Sequence, residues 1–308
     1  MKEINYSIII PHYNIPELLV RCLKSIPVRE DIQVIVVDDC SPNASTYLEK
    51  YPELSRPYLE YYSTPIGGSA GRARNVGLDH AKGKWVICMD ADDLFVDNME
   101  EILEESLDRG EDVLYYNYKS VMSDDLTVPA SRTYYNTFFE ECKTKDIEYK
   151  FRYYFDPMWG KIFRNENIQK YHLRCDETRY GNDAGFSYRC GALARKIAII
   201  DKPFFIITER AGSLASSEYN GGRTGAEELK IRIKGFLNVT TFNKQHNLKV
   251  KYYSHAREAG KLLKYWPAEF FKYYFSYIVP KYPKQSLIIA MYIMYKRIFH
   301  TSRAKRKK

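Results

Sequence analysis

IQVIVVDDCSPN (32–43) is the stretch that decides the fold. Ile32 to Val37 is almost wholly apolar, and two Asp follow at once. An unalternating apolar run of this length reads as a strand buried on both faces. Such strands belong to parallel sheets covered by helices on either side. The surrounding sequence has that form. Ser7 to Ile10 is a short β-branched run closed by Pro11. Pro16 to Ile26 has apolar residues at 18, 19, 20, 23 and 26, which is helical spacing with Pro near its start. Tyr58 to Tyr62 is a weaker strand. Ser69 to Ala81 is a helix with glycines before and beyond it. Trp85 to Met89 is a second buried strand, Asn98 to Leu107 an amphipathic helix and Val113 to Tyr118 a further strand. The expected class is α/β: a mostly parallel central sheet flanked by helices, plus a C-terminal helical extension.

Composition bounds what this chain can be. It has 308 residues, 45% hydrophobic and 28% charged, which is enough for about two domains and excludes wholesale disorder. It contains no run of about 18 uncharged apolar residues, so a polytopic membrane protein is excluded. The six Cys form no C-x-x-C pair, which argues against a zinc site or a disulfide scaffold. The N-terminal apolar run, Ile8 to Ile10, is too short for a signal peptide, and a cytoplasmic setting is expected. Two N-x-[ST] sequons, at Asn43 and Asn238, then read as chance matches. The net charge of +8 is uneven. Residues 220–308 hold 20 Lys+Arg against 4 Asp+Glu, a net of +16; residues 1–219 hold 27 against 35, a net of −8.

Ligands of parallel α/β sheets bind beyond the carboxyl ends of the strands. Three strand ends carry unusual residues: Pro11-His12-Tyr13-Asn14, Asp38-Asp39-Cys40-Ser41, and Asp90-Ala91-Asp92-Asp93. Five carboxylates at what read as two neighbouring strand ends repel unless something positive lies among them. A divalent metal with a phosphate ligand is the economical answer, since Mg²⁺ and Mn²⁺ take oxygen ligands and keep positions open for substrate. Between the clusters lies PIGGSAGRARNVG (65–77). Its glycines let backbone approach a ligand, and the helix start favours anions. It is no Walker A loop, because no Lys-Ser/Thr follows the last Gly. Arg72 and Arg74 place positive charge beside the carboxylates, as a nucleoside diphosphate requires.

Together these segments resemble the family 2 glycosyltransferases, which have the GT-A fold. SIIIPHYN (7–14), VVDDCSPNAS (36–45), GRARNVGL (71–78) and VICMDADD (86–93) match four family motifs in order. Further on, MWGKIFR (158–164) is similar to the W-x-K-L-[FY]-R segment, and YGNDAGF (180–186) to G-E-D-x-x-[FW]. Thr208 to Ser216 resembles the segment that closes the acceptor side.

The resemblance implies a catalytic domain at 1–219, with a nucleotide-sugar part (1–118) and an acceptor part (119–219). Asp39 would contact the nucleobase, with Asp38 beside it, and Pro11 and Tyr13 would line the base pocket. Arg74 and Asn75 would hold the donor, and Asp90 would lie near the ribose. Asp92, together with Asp93, would reach a Mn²⁺ or Mg²⁺ ion. Asp183 would be the general base, although Asn182 stands where Glu is usual. The implied reaction is inverting, metal-dependent transfer of one sugar to a hydroxyl of a glycan or lipid-linked acceptor, with a UDP-sugar as the default donor. No Q-x-x-R-W motif of the processive members is present, which favours single addition. Two alternatives stand beside it. A sugar-1-phosphate nucleotidyltransferase would need a Gly-x-Gly-x-Arg loop, absent between Ile10 and Leu18. A non-catalytic nucleotide- or carbohydrate-binding relative would explain Asn182.

The basic C-terminal region, 220–308, mixes 9 Tyr and 6 Phe with its Lys and Arg. SLIIAMYIMYKRIFH (286–300) has helical length but is too short to span a bilayer. Basic aromatic helices of this kind lie on anionic membranes, so a peripheral position on the cytoplasmic face is expected. The competing expectation is a helical cap on the catalytic domain. Nucleic acid is disfavoured as a partner, because the acidic clusters elsewhere repel phosphate.

Overall fold

The computed structural model describes residues 3–141, 146–210, 225–250 and 254–305. Two compact units divide it, Met1–Tyr219 and Asn220–Lys308.

In the first unit β1 (Tyr6–His12), β2 (Ile32–Asp38), β3 (Leu59–Ser63) and β4 (Trp85–Cys88) are parallel. Every residue of β1, β2 and β4 is buried, as two helix-covered faces require. Helices α1 (Pro16–Lys24), α2 (Tyr47–Lys50) and α3 (Ala70–His80) lie among these strands in the chain, and α4 (Met99–Leu107) follows them. Pro16 opens α1, where its missing N–H costs nothing, and Leu19, Cys22 and Leu23 turn inward. Helix α3 lies close on the sheet. A Cβ at Gly77 would stand 2.3 Å from Ile9 Cγ2, so only glycine permits this approach.

The sheet continues with β5 (Leu94–Phe95), β6 (Val113–Met122), β7 (Lys161–Arg164) and β8 (Ile197–Glu209). Its order is β3-β2-β1-β4-β7-β6-β8-β5. Strand β7 is antiparallel to both neighbours and β5 to β8, so six strands run one way and two the other. Three further helices precede β8: α5 (Asn136–Glu140), α6 (Ile147–Tyr154) and α7 (Asn165–Lys170); a fourth is α8 (Ala184–Leu193).

Two expectations change here. The chain beyond Tyr118, where the sequence reading names no strand, supplies β7 and the 13-residue β8. The sequence hides β8 because Asp201, Lys202 and Pro203 interrupt its apolar run. A register shift opposite Asn117 absorbs the interruption, with Asn117 facing Pro203. The second change concerns the acidic strand ends. Strand β1 lies between β2 and β4, so Asp38-Asp39 and Asp90-Asp92-Asp93 are not on neighbouring strands.

The second unit is helical: α9 (Ala226–Gln245), α10 (Ser254–Tyr265), α11 (Pro267–Tyr273) and α12 (Pro283–Lys305), with a π-helical turn at Tyr274–Ile278. Its core joins Leu229, Ile233 and Leu237 to Leu262, Phe270, Ile278 and Ile289. No helix among the described residues is long and apolar enough to cross a membrane.

Candidate active site

The parallel strands β1 to β4 bring their carboxyl ends to one edge. In register, His12 pairs with Asp38 and Asp38 with Ser63. His12 Nε2 accepts from the Ile15 amide, so Nδ1 is the donor to Asp38 Oδ1, at 3.1 Å. Asp38 Oδ2 accepts from the Ser41 amide at 2.8 Å. Burial would raise the Asp38 carboxyl, but the His12 and Ser41 hydrogen bonds outweigh it and hold it below its ordinary value. Asp38 is therefore spent on shaping its own turn.

Asp39 braces the glycine turn. Its Oδ2 accepts from the Gly68 amide (2.8 Å) and the Ser69 amide (2.7 Å), and its Oδ1 from the Thr64 hydroxyl (3.0 Å). Gly68 has φ +97°, a conformation that favours glycine. Ser69 then caps α3, accepting from the Arg72 amide. The repulsion expected among five carboxylates does not arise between the two clusters. Strand β1 separates the clusters, and His12 and backbone amides answer Asp38 and Asp39. Pro11 is buried at the end of β1, whereas Tyr13 is 55% exposed.

Helix α3 supplies the positive charge. Buried Arg74 donates from Nη1 to Asn182 Oδ1 (2.5 Å) and from Nη2 to Asp90 Oδ1 (2.6 Å). Burial opposes its charge, yet the attraction of Asp90 and then Asp183 holds the guanidinium above its ordinary value. Asn75 clamps the loop after α7: its Oδ1 accepts from the Cys175 amide (2.7 Å), and its Nδ2 donates to Cys175 O (3.1 Å) and Glu177 (3.3 Å). Arg72 is held by Glu177 and the Ile66 carbonyl. Asp183 opens α8 two residues after Gly181, itself at φ +59°. Arg74 thus connects strand β4, the 175–182 loop and the start of α8.

Asp90 and Asp92 keep partly exposed carboxylates, 33% and 21%. Arg210 donates from Nε to Asp92 Oδ2 at 3.1 Å. Burial and then Asp90 push the Asp92 carboxyl up, against Arg210. Asp93 turns inward. Its Oδ1 accepts from the Thr208 amide at 2.6 Å, and its Oδ2 is buried with no partner. Burial, then Asp92 and Asp90, hold its carboxyl well above the ordinary range. Asp93 is thus buried against Thr208, whereas Asp92, expected beside it at an ion, is the more exposed of the two. Among the described residues no three His, Cys, Asp or Glu form a metal cage. Two hard, partly exposed carboxylates suit a divalent ion that shares its shell with substrate phosphate.

Sequence reading missed Thr64, and it named Thr208 and Arg210 only as part of the 208–216 segment, not as partners of Asp93 and Asp92. They are ordinary residues on β3 and β8 ends, and only the fold brings them to Asp39, Asp93 and Asp92. Residues 211–216 of the expected closing segment lie outside the described residues.

This sheet, with its strand-end carboxylates facing a glycine turn and an Arg-bearing helix, defines a GT-A-type glycosyltransferase. The chain belongs to glycosyl transferase family 2, whose model matches residues 7–198. That membership sets aside the nucleotidyltransferase alternative. The chain is 25% identical to the uncharacterized glycosyltransferase EpsJ of Bacillus subtilis (strain 168), over 82% of this chain and 71% of EpsJ. It is 26% identical to the poly(ribitol-phosphate) beta-N-acetylglucosaminyltransferase TarS of Staphylococcus aureus (strain Mu50), over 76% of this chain and 41% of TarS. The crystal structure of S. aureus TarS 1–349 with UDP-GlcNAc superposes with TM-score 0.58 at 21% identity, covering 91% of this chain and 78% of that one. The Pyrobaculum calidifontis mannosyltransferase PcManGT, with GDP-Man and Mn²⁺, superposes with TM-score 0.53 at 15% identity, covering 96% and 87%.

Proposed function

We propose that this enzyme moves one sugar at a time, with inversion, from a UDP-sugar to a hydroxyl of a glycan or lipid-linked acceptor. The observation that carries this is Arg74, a buried cation attracted to both Asp90 and Asp183. It ties the donor side of the site to the acceptor side. The UDP-GlcNAc seen in TarS supports a UDP donor, and the GDP-Man and Mn²⁺ of PcManGT support a divalent metal.

In this reading Asp183 takes the proton of the acceptor hydroxyl as its oxygen bonds to the anomeric carbon and the carbon–phosphate oxygen bond breaks. Arg74 and Asn75 fix the 175–183 segment against α3, so the base is held rather than mobile. Neutral Asn182 does not disable the site: it receives the Arg74 hydrogen bond and leaves Asp90 and Asp183 as the carboxylates facing that cation. Asp39 reaches the nucleobase from the turn it braces, beside Asp38, Pro11 and Tyr13. Asp90 lies toward the ribose. Asp92 would hold the ion, Mn²⁺ or Mg²⁺, while Asp93 stays with Thr208. Such an ion neutralises charge that builds on a leaving diphosphate. Residues 220–308 would bring the enzyme to an anionic membrane on its cytoplasmic face.

The test starts from a thermal-shift panel of nucleotide sugars with Mn²⁺, then measures transfer with the best donor. Asp183→Ala should keep donor binding and lose turnover by about 10²- to 10⁴-fold, the usual contribution of a general base. Unchanged turnover in that variant removes Asp183 from the role.

A further inference from the structure

Outside the site, the first unit carries a cleft of about 550 Å³ lined by Tyr134, Phe138, Asp146, Tyr149, Lys150 and Tyr154. That volume lies in the range of small-ligand sites. A single exposed aromatic needs no explanation, but three share this cleft: Tyr134 is 64% exposed, Tyr149 40% and Tyr154 37%. The rings are arranged as walls. Tyr134 meets Phe138 edge-on at 5.7 Å, and Tyr149 lies 5.9 Å from Tyr154. They are carried by α5 and α6 and by the turn before α5, so regular structure fixes their positions.

The polar groups narrow the ligand. Lys150 lies over the Phe138 ring at 5.7 Å and is ion-paired with Glu141. Asp146 is the acid among the lining residues. Among the described residues the cleft thus has no surplus positive charge for a phosphate or another polyanion. An acyl chain would set the Asp146 carboxylate and the polar rims of the Tyr rings against hydrocarbon, which is costly. A pyranose has an apolar C–H face and a rim of hydroxyls. Aromatic faces bordered by Tyr hydroxyls, a carboxylate and an ammonium match both parts.

The location links the cleft to the chemistry. Tyr134 packs edge-on against Tyr135 at 5.0 Å, and Tyr135 packs on Phe155 (4.7 Å) and Trp159 (6.0 Å). Burial, then the charges of Asp156 and Asp183, raise the Tyr135 hydroxyl. Tyr135 therefore touches Tyr134 of the cleft on one side and the Phe155 and Trp159 rings on the other, and it feels the charge of Asp183.

We propose that this cleft is an acceptor subsite, in which Tyr134 and Tyr149 stack a neutral sugar unit of the glycan whose hydroxyl reacts at Asp183. The proposal rests on the reading of the enzyme as a glycan-directed transferase and names the acceptor's class. The test is binding of the full chain to a glycan array carrying neutral hexose and N-acetylhexosamine oligosaccharides beside phosphorylated and sulfated ones. The wild type should be retained on neutral glycans. Tyr134→Ala and Tyr149→Ala should each bind them about tenfold more weakly, the size of one lost aromatic contact. Tyr149→Phe, which keeps the ring, should retain most of the binding. These rings are exposed, so thermal melts should be unchanged. Retention only on anionic glycans, no retention, or binding indifferent to the Ala variants overturns the subsite. Asp183→Ala separates the two readings. If it binds glycans normally and transfers nothing, both stand. If it transfers normally while the Tyr variants lose binding, the subsite stands and the assignment of the base fails.

Discussion

Lys161 is fully buried in β7, donating from Nζ to the carbonyls of Phe155 (2.6 Å) and Pro157. It lies 4.8 Å from the centre of the Phe155 ring. Burial is the dominant effect and pulls its ammonium down to about 7, against the attraction of Asp156 and then of other groups that include Asp183. The sign of the pH effect follows. The folded value is below the unfolded one, so between about pH 7 and the ordinary lysine value near 10.4 the unfolded chain binds more protons. Stability from this group therefore rises with pH across that window. Denaturant unfolding at pH 7 and pH 9.5 should show wild type gaining stability relative to Lys161→Met. An equal pH response in both proteins would show that Lys161 is charged in the fold throughout. The same side chain organises the 155–157 turn behind Tyr135, which is why a lysine is tolerated where strands otherwise bury apolar groups.

At the level of elements, α3 and the 175–183 loop meet through glycine. A Cβ on Gly71 would lie 2.2 Å from Asp176 O and 2.9 Å from Asn182 Cβ. Gly71→Ala must push this loop, and with it Asp183, away from Arg74. Overpacking of this kind costs about 1–3 kcal/mol. The melting temperature should fall by several degrees and transfer should fall with it. Gly110→Ala is the control, since nothing lies within 4 Å of its Cβ position and its melt should not change. Equal melts for the two variants would mean that the helix and loop do not pack closely. The legibility of these elements in the sequence differs for physical reasons. Strands β1, β2 and β4 were readable because burial on both faces demands unbroken apolar runs, and α3 because Ser69 and its glycines mark a helix start. Strand β8 was not, because a register shift lets it keep Asp201, Lys202 and Pro203. The residues of the site were readable as types beyond strand ends. Their partners were not. Whether a carboxylate stays partly open to solvent, as Asp92 does, or turns into the protein, as Asp93 does, depends on Thr208 and Arg210, more than a hundred residues along the chain.

Across the whole molecule, charge and apolar exposure coincide in the second unit. Residues 1–219 carry a net charge of −8 and residues 220–308 one of +16. Helix α12 buries Ile289 in its unit's core, yet Leu287, Met291, Met294 and Tyr295 are more than half exposed. Phe271 and Phe275, one helical turn apart, are exposed as well. A helix apolar on two faces has one face left over once its own core is made. The proposed membrane contact would use this face, since apolar burial and the attraction of basic residues to anionic lipid act together at such a surface. Each Lys or Arg near such a surface contributes about 1 kcal/mol, which vanishes as salt screens it. The full chain should therefore float with phosphatidylcholine vesicles that contain phosphatidylglycerol and remain behind with phosphatidylcholine alone. High salt should release it. The double variant Leu287→Glu, Met291→Glu should lose flotation while keeping donor binding, since the second unit holds none of the proposed donor residues. Flotation that survives those substitutions assigns the membrane contact to charge alone. Absence of flotation with the intact chain, joined to a mass in solution twice that of one chain, assigns the exposed face to a second copy instead.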